Sequence, residues 1–129
     1  MHPLAHAALL GIALCAATVP VLAQDKSTLA GNWTADLRPE PQAPAYPKAM
    51  TLAVAADGTL TGRFYEHEIE RGRVGATNGR PCFAFRTQDG TGPYHSSGCL
   101  IGDRIEGQTW SEGRNFILMW TATRNVLPK

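Results

Sequence analysis

Three stretches of the chain hold the residue types from which catalytic and metal sites are built. Glu66-His67-Glu68, followed by Glu70, Arg71 and Arg73, gathers carboxylates and an imidazole; His95-Ser96-Ser97 sets a base beside two hydroxyls; Cys82 and Cys99 supply two thiols. Spacing works against chemistry in each case. In an extended chain successive side chains point to opposite faces, so Glu66, Glu68 and Glu70 share one side and His67 takes the other, and His95 likewise faces away from Ser96. A metal site would need His95 or another distant residue, and a solvated charged strand is the simpler reading. No Gly-x-Ser-x-Gly turn or His-Glu-x-x-His helix occurs, so neither a nucleophile elbow nor a zincin site is present. After Ala23 the histidines are His67 and His95 alone, and any nucleophile–base pair must use one of them. The expectation is a non-catalytic protein with no cofactor and no metal.

The thiols read as a disulfide. Cys15 lies in an apolar leader, which leaves Cys82 and Cys99 as a pair in a chain bound for an oxidising compartment. No Cys-x-x-Cys spacing exists, and two cysteines make a poor zinc site. Closing a loop of roughly 17 residues is worth on the order of 3 kcal/mol by the chain-entropy argument, a large share of a small domain's stability.

The leader itself runs uncharged from Leu4 to Leu22, rich in Ala, Leu, Ile and Val, and ends in Val21-Leu22-Ala23. Residues 1–23 are predicted to be a signal peptide, with Gln24 opening a single domain over 24–129 and the protein periplasmic or secreted. The stretch approaches the ~20 residues that cross a bilayer, but Pro20, the polar Gln24-Asp25-Lys26 and the N-terminal position favour removal over membrane attachment. Its start is unusual for such a leader, offering His2 and His6 in place of Lys or Arg. Leu14 before Cys15 fits a lipid-anchor site poorly.

All 12 Lys and Arg and all 11 Asp and Glu follow Ala23, for a net charge of +1, which argues against a nucleic-acid partner. With 43% hydrophobic and 18% charged residues the composition is that of one ordinary globular domain, not a disordered or collagen-like segment.

The elements that must position these residues are strands. Apolar residues recur with period two in short runs bounded by Gly, Asp and Asn, and no stretch after the leader keeps a helical period for three turns. Strands are predicted over 31–37, 50–55, 60–65, 68–74, 82–87, 93–101, 104–111 and 116–123. In Val54-Ala55-Ala56-Asp57-Gly58-Thr59-Leu60, a loop with Gly58 left-handed pairs Val54 with Leu60, Leu52 with Gly62 and Met50 with Phe64. A two-residue Asp-Gly turn would set Val54 against Thr61 and mix the faces. Centring the next hairpin between Gly90 and Thr91 puts Cys82 opposite Cys99, with Phe83 and Phe85 on one face and Arg86 and His95 on the other. Gly102-Asp103 and Glu112-Gly113-Arg114-Asn115 supply the last two tight turns.

About eight short strands joined in sequence predict an all-β fold, a single up-and-down antiparallel β-barrel with one hairpin disulfide, since closure removes exposed edges. At this size the interior is filled by side chains or holds one small ligand. Arg38 to Lys48, with Pro39, Pro41, Pro44, Pro47 and Tyr46, is too proline-dense for a central strand and reads as a lid or as a stiff connector. Trp33, Trp110 and Trp120 offer either core filling or the aromatic wall of a cavity, and Trp110, sharing a face with Glu106 and Gln108, reads as outward. Phe116-Ile117-Leu118-Met119-Trp120 is apolar on both faces, which calls for a cover over its outer side: a second copy of the chain, the proline-rich segment or the N-terminal arm. Asn32-Trp33-Thr34 is a formal glycosylation triplet inside a predicted strand.

Gly31-Asn32-Trp33 in the opening strand, the long loop after it, the run of hairpins and Arg124 beyond the last strand together resemble the calycin group, the lipocalins and avidins. The resemblance implies that Trp33 plugs the closed end of the barrel and that Arg124 packs across it. Ala56-Asp57-Gly58-Thr59-Leu60-Thr61-Gly62 is similar to the second hairpin of avidins. The Asn, Ser, Tyr, Thr and Asp set by which avidins hold biotin's ring has no placement here, so biotin does not carry over. The chain is also shorter than a typical lipocalin and lacks a helix pattern after the last strand. Small periplasmic inhibitors of bacterial metalloproteases share the size, the single disulfide and the opening tryptophan. Their inhibitory arm precedes the barrel, and Gln24 to Ala30 is short for that role.

The leading expectation is an exported barrel that binds a small, partly apolar molecule at its open end through Trp120, Phe64, Phe85 and Tyr46. The alternative is a protein-binding module, such as a protease inhibitor, using the arm, the proline-rich loop or the 116–120 strand, through which the chain would also form a homo-oligomer. An internal cavity on the order of a few hundred Å³ favours the first, and a solid interior the second.

Overall fold

Period-two apolarity and short turns leave each segment one choice of neighbour, the strand before it, and the meander that results closes on itself. The computed structural model describes residues 2–3, 7–17 and 25–125. Its strands are β1 (Gly31–Asp36), β2 (Pro47–Val54), β3 (Thr59–Phe64), β4 (His67–Glu68), β5 (Glu70–Gly75), β6 (Cys82–Asp89), β7 (Gly92–Ile101), β8 (Arg104–Ser111) and β9 (Phe116–Arg124). All pairs are antiparallel, and β9 returns to β1 with Trp33 opposite Arg124 and Asp36 opposite Thr121. The eight staves β1-β2-β3-β5-β6-β7-β8-β9 thus form a closed barrel, with β4 a short hairpin arm on β3. The expected cleavage point after Ala23 lies outside the described residues. Residues 7–17 form no helix or strand and leave Leu9, Leu10, Ile12 and Leu14 exposed. Among the described residues no helix is long and apolar enough to cross a membrane.

The expected registers are those found. Val54 faces Leu60, Leu52 faces Gly62 and Met50 faces Phe64, with Gly58 at φ 87°. Cys82 lies opposite Cys99, and the two are disulfide-bonded. The differences fall at strand ends. β2 begins at Pro47, three residues before the expected start, because proline is tolerated as the first residue of a strand. The expected 68–74 strand is broken into β4 and β5, with a register shift between Glu70 and Arg73 and Arg71 at φ 52°.

The closed end is plugged from below. Asp25 caps the 3₁₀ turn Lys26–Leu29, whose Leu29 is fully buried and whose Leu29 carbonyl accepts the Trp33 indole N–H at 3.0 Å. The Arg124 guanidinium lies 4.2 Å from the centre of the Trp33 ring and donates Nη1–H to the Ala30 carbonyl at 2.8 Å. Gly31 makes room for it: a Cβ there would stand 2.7 Å from Arg124 Nη1. Above this plug, Met50, Leu52, Leu60, Val74, Phe83, Leu100, Ile105 and Ala122 fill the lower half of the interior.

Candidate functional site

Toward the other end the filling changes character, and the cross-strand rows show why. One row runs Phe83, Gly98, Gly107, Trp120 across β6 to β9. Two adjacent glycines let both rings lie flat over the sheet: a Cβ on Gly107 would sit 2.5 Å from the Trp120 ring, and one on Gly98 would sit 2.9 Å from Phe83 Cζ. The next row is Phe85, Ser96, Thr109, Leu118. There the Trp120 indole N–H donates to Thr109 Oγ1 at 2.9 Å, and Thr109 shares a second hydrogen bond with Ser96 Oγ at 2.8 Å, so the buried polar atoms satisfy one another. The row above, Thr87, Tyr94, Ser111, Phe116, borders open space.

That space is a cavity of about 270 Å³ at the end opposite Trp33. Leu37, Phe64, Phe116 and Leu118 supply its apolar wall, Thr87 and Thr109 its hydroxyls, and Tyr46, Tyr65, His67, Asp89, Tyr94 and Arg114 its rim. Of the four residues expected to meet a ligand, Tyr46 and Phe64 line the cavity, whereas Phe85 and Trp120 pack against Phe64 from behind, with ring centres 5.5 and 5.3 Å from it. They support the floor without forming its surface.

The rim is built from turns. After Phe64 the chain reverses through Tyr65 and Glu66, both with positive φ (51° and 67°), so that Phe64 pairs with His67. Neither residue is Gly or Asn, the usual occupants of such a two-residue turn. The Arg63 guanidinium donates to the Glu66 carbonyl, and the His67 ring nitrogen Nδ1 lies 2.6 Å from the Tyr65 carbonyl. This turn aims the Tyr65 ring at the mouth, where its hydroxyl shares a 2.6 Å hydrogen bond with that of Tyr46. The Lys48 ammonium lies 4.7 Å from the centre of each of the two rings. The hydrogen bond to Tyr65, aided by Lys48, holds the Tyr46 phenol below its ordinary range, and the same bond pushes Tyr65 up.

Tyr46 is delivered by the proline-rich loop, whose two ends are clasped by one carboxylate. Asp36 Oδ1 accepts from the backbone N–H groups of Arg38 (3.1 Å) and Tyr46 (3.0 Å), and Oδ2 accepts from Arg38 Nε (2.8 Å) and Nη2 (2.6 Å). The Arg38 side chain first, then the Tyr46 N–H, hold the Asp36 carboxyl down at about 2. The rest of the loop does not fold over the mouth. Pro39, Glu40 and Pro41 border a groove along the outside of β9 instead, and they leave Ile117 and Met119 there 61% and 68% exposed, so the loop is not the cover expected for this face.

Asp89 completes the rim with both oxygens engaged, accepting from Thr91 N, Thr91 Oγ1 and the Tyr94 hydroxyl at 2.6–2.9 Å. These bonds, those of Thr91 foremost, hold its carboxyl below the ordinary range. Arg114 has its guanidinium 5.0 Å from the Phe116 ring centre and neither ion-pairs nor hydrogen-bonds through it with any described residue.

Alternation separates His95 from Ser96 as expected, whereas Glu66 lies in the turn before β4 and not on one extended strand with Glu68 and Glu70. His95 lies on the outer face, its ring centre 5.4 Å from that of Trp110 and its Nε2 2.8 Å from Glu112, while Ser96 points inward to Thr109. Sequence reasoning missed Tyr65, His67, Asp89, Tyr94 and Arg114 as rim residues. A weak signal existed for the walls: the period of Phe83 and Phe85 continues to Thr87, and that of Trp120 runs back through Leu118 to Phe116. In comparison with known proteins, the chain matches no family model, no curated protein and no solved structure.

Proposed function

We propose that this is an exported barrel that holds a small, partly apolar molecule at its open end and performs no chemistry on it. The observation that carries the reading is the contrast between the two ends: a plug of Leu29, Trp33 and Arg124 below, and an apolar-walled cavity of about 270 Å³ above. That volume stands near the lower end of the usual range for ligand pockets, about 300–1,000 Å³. The plug and the closed up-and-down layout are also what the likeness to lipocalins and avidins implies. Export is supported by the Cys82–Cys99 bond, which persists in oxidising compartments, and by an apolar leader whose described residues 7–17 contribute no strand to the barrel.

Trp120 reports on the site because its ring lies under Phe64, which lines the cavity. Titrating the protein with a panel of small aromatic and aliphatic compounds is expected to shift its tryptophan emission saturably. A flat response across the panel, with Trp120→Ala merely destabilising the fold, counts against ligand binding. One observation favours a second reading, a contact with another copy of the chain: Trp110, Ile117 and Met119 form an exposed apolar stripe on the outer face of β8 and β9. Sizing at low micromolar concentration tests it, and a strict monomer excludes it.

A further inference from the structure

We infer that the occupant of this cavity carries a carboxylate or similar anionic group, and that Arg114 receives it. The inference rests on the pocket reading and adds the chemistry of the ligand. Size sets the first limit. At ~30 Å³ for each water in the liquid, the cavity holds about nine waters' worth of material, which admits a single-ring acid and excludes a long-chain one buried along its length.

The charged groups of the mouth set the second limit, because its carboxylate is already hydrogen-bonded within the protein and its cations form no ion pair with a described residue. Asp89 is the carboxylate in the lining, and three internal hydrogen bonds occupy its two oxygens. The Tyr46 and Tyr65 hydroxyls hold two protons between them and use one in their mutual bond, which leaves one O–H to donate. Lys48, over both rings, is the cation beside them and forms no ion pair with a described residue. Arg114 lines the cavity with an unengaged guanidinium, the group best shaped to take a carboxylate through two parallel N–H bonds. At Tyr65 its charge opposes the rise that the hydrogen bond to Tyr46 chiefly causes and that the Glu66 carboxylate adds to. An anion at this point meets a free cation and a free hydroxyl, with its ring between Phe64, Phe116 and Leu118. An ammonium group would meet Arg114 as a like charge in the same lining, beside an Asp89 whose two oxygens already accept hydrogen bonds.

Three probes that share one 4-ethylphenyl body and differ in head-group charge test this by ligand-observed NMR at neutral pH: 4-ethylbenzoate, 4-ethylbenzamide and 4-ethylbenzylamine. The benzoate is expected to bind about 10- to 100-fold more tightly than the amide, as one charge-assisted hydrogen bond or a bidentate pair provides. Arg114→Gln is expected to bring the two within about twofold of each other, and Arg114→Lys to retain part of the preference. Arg114 is exposed in the turn between β8 and β9, and what ties it to the fold is its backbone N–H to Ser111 Oγ at 3.3 Å, so both variants keep that contact. Equal binding of benzoate and amide, or tightest binding of the amine, overturns the inference and leaves the pocket reading standing. A benzoate preference that survives Arg114→Gln overturns the role of Arg114. Failure of all three probes to bind overturns both readings together.

Discussion

Replacing Glu66 by glycine is expected to make the protein more stable. Tyr65 and Glu66 form the two-residue turn between β3 and β4 with φ of 51° and 67°, a conformation that costs an L-residue roughly 1–2 kcal/mol. Glycine relieves that strain, and its greater freedom in the unfolded chain returns roughly 0.5–1 kcal/mol. The Glu66 carbonyl, which accepts from Arg63, is kept, and among the described residues the carboxylate makes no hydrogen bond or ion pair whose loss would offset the gain. The net effect of Glu66→Gly is therefore about 0.5–1 kcal/mol in favour of the fold. For a domain of this size that corresponds to a rise of about 2–8 °C in Tm. Thermal melts followed by circular dichroism measure it directly. The double variant Tyr65→Asn, Glu66→Gly places the residues this turn prefers at both positions. It also removes the hydroxyl pair with Tyr46, so its further gain in Tm is small and its ligand binding falls. A Tm that drops or stays put in Glu66→Gly refutes the reasoning, because the strain would then not reside in the turn. A gain in Tm with loss of binding in the double variant would identify the turn as strain kept for the site.

Two other perturbations probe the floor and the loop. Gly107→Ala puts a methyl 2.5 Å from the Trp120 ring, and as overpacking it is expected to cost about 1–3 kcal/mol in chemical denaturation and to shift the Trp120 emission; an unchanged spectrum at wild-type stability refutes the assigned floor. The Asp36 carboxyl has its pKa depressed to about 2 in the folded protein against an ordinary 3.8, chiefly by the Arg38 side chain. Its contribution is therefore complete above about pH 4 and is lost as pH falls through 2. Urea midpoints of Asp36→Asn should change less than those of the parent between pH 4 and pH 2, and parallel curves would refute the clasp.

The amino-acid sequence by itself determined the strands, the hairpin registers and the disulfide. These are local matters: loop length and turn residues leave few pairings, and burial of alternate residues rejects the rest, as when Val54 chose Leu60 over Thr61. Alternation likewise sent His95 outward and Ser96 inward, which dissolves the catalytic look of that tripeptide. The resemblance placed Trp33 and Arg124 in the position they take at the closed end. Tertiary structure alone decided where the interior stops being solid. Hollowness depends on the summed volumes of rows drawn from β6 to β9, and the glycines at 98 and 107 that let Phe83 and Trp120 lie flat become neighbours through pairing, nine residues apart along the chain. The rim was equally hidden. Tyr65 and Arg114 belong to turns, where period two carries no information, His67 opens the two-residue strand just after one, and the Tyr65-Glu66 reversal has neither glycine nor asparagine to announce it. Closure of the barrel brings those turns and the clasped proline loop around one opening, because β3, β8 and β9 all reach that end.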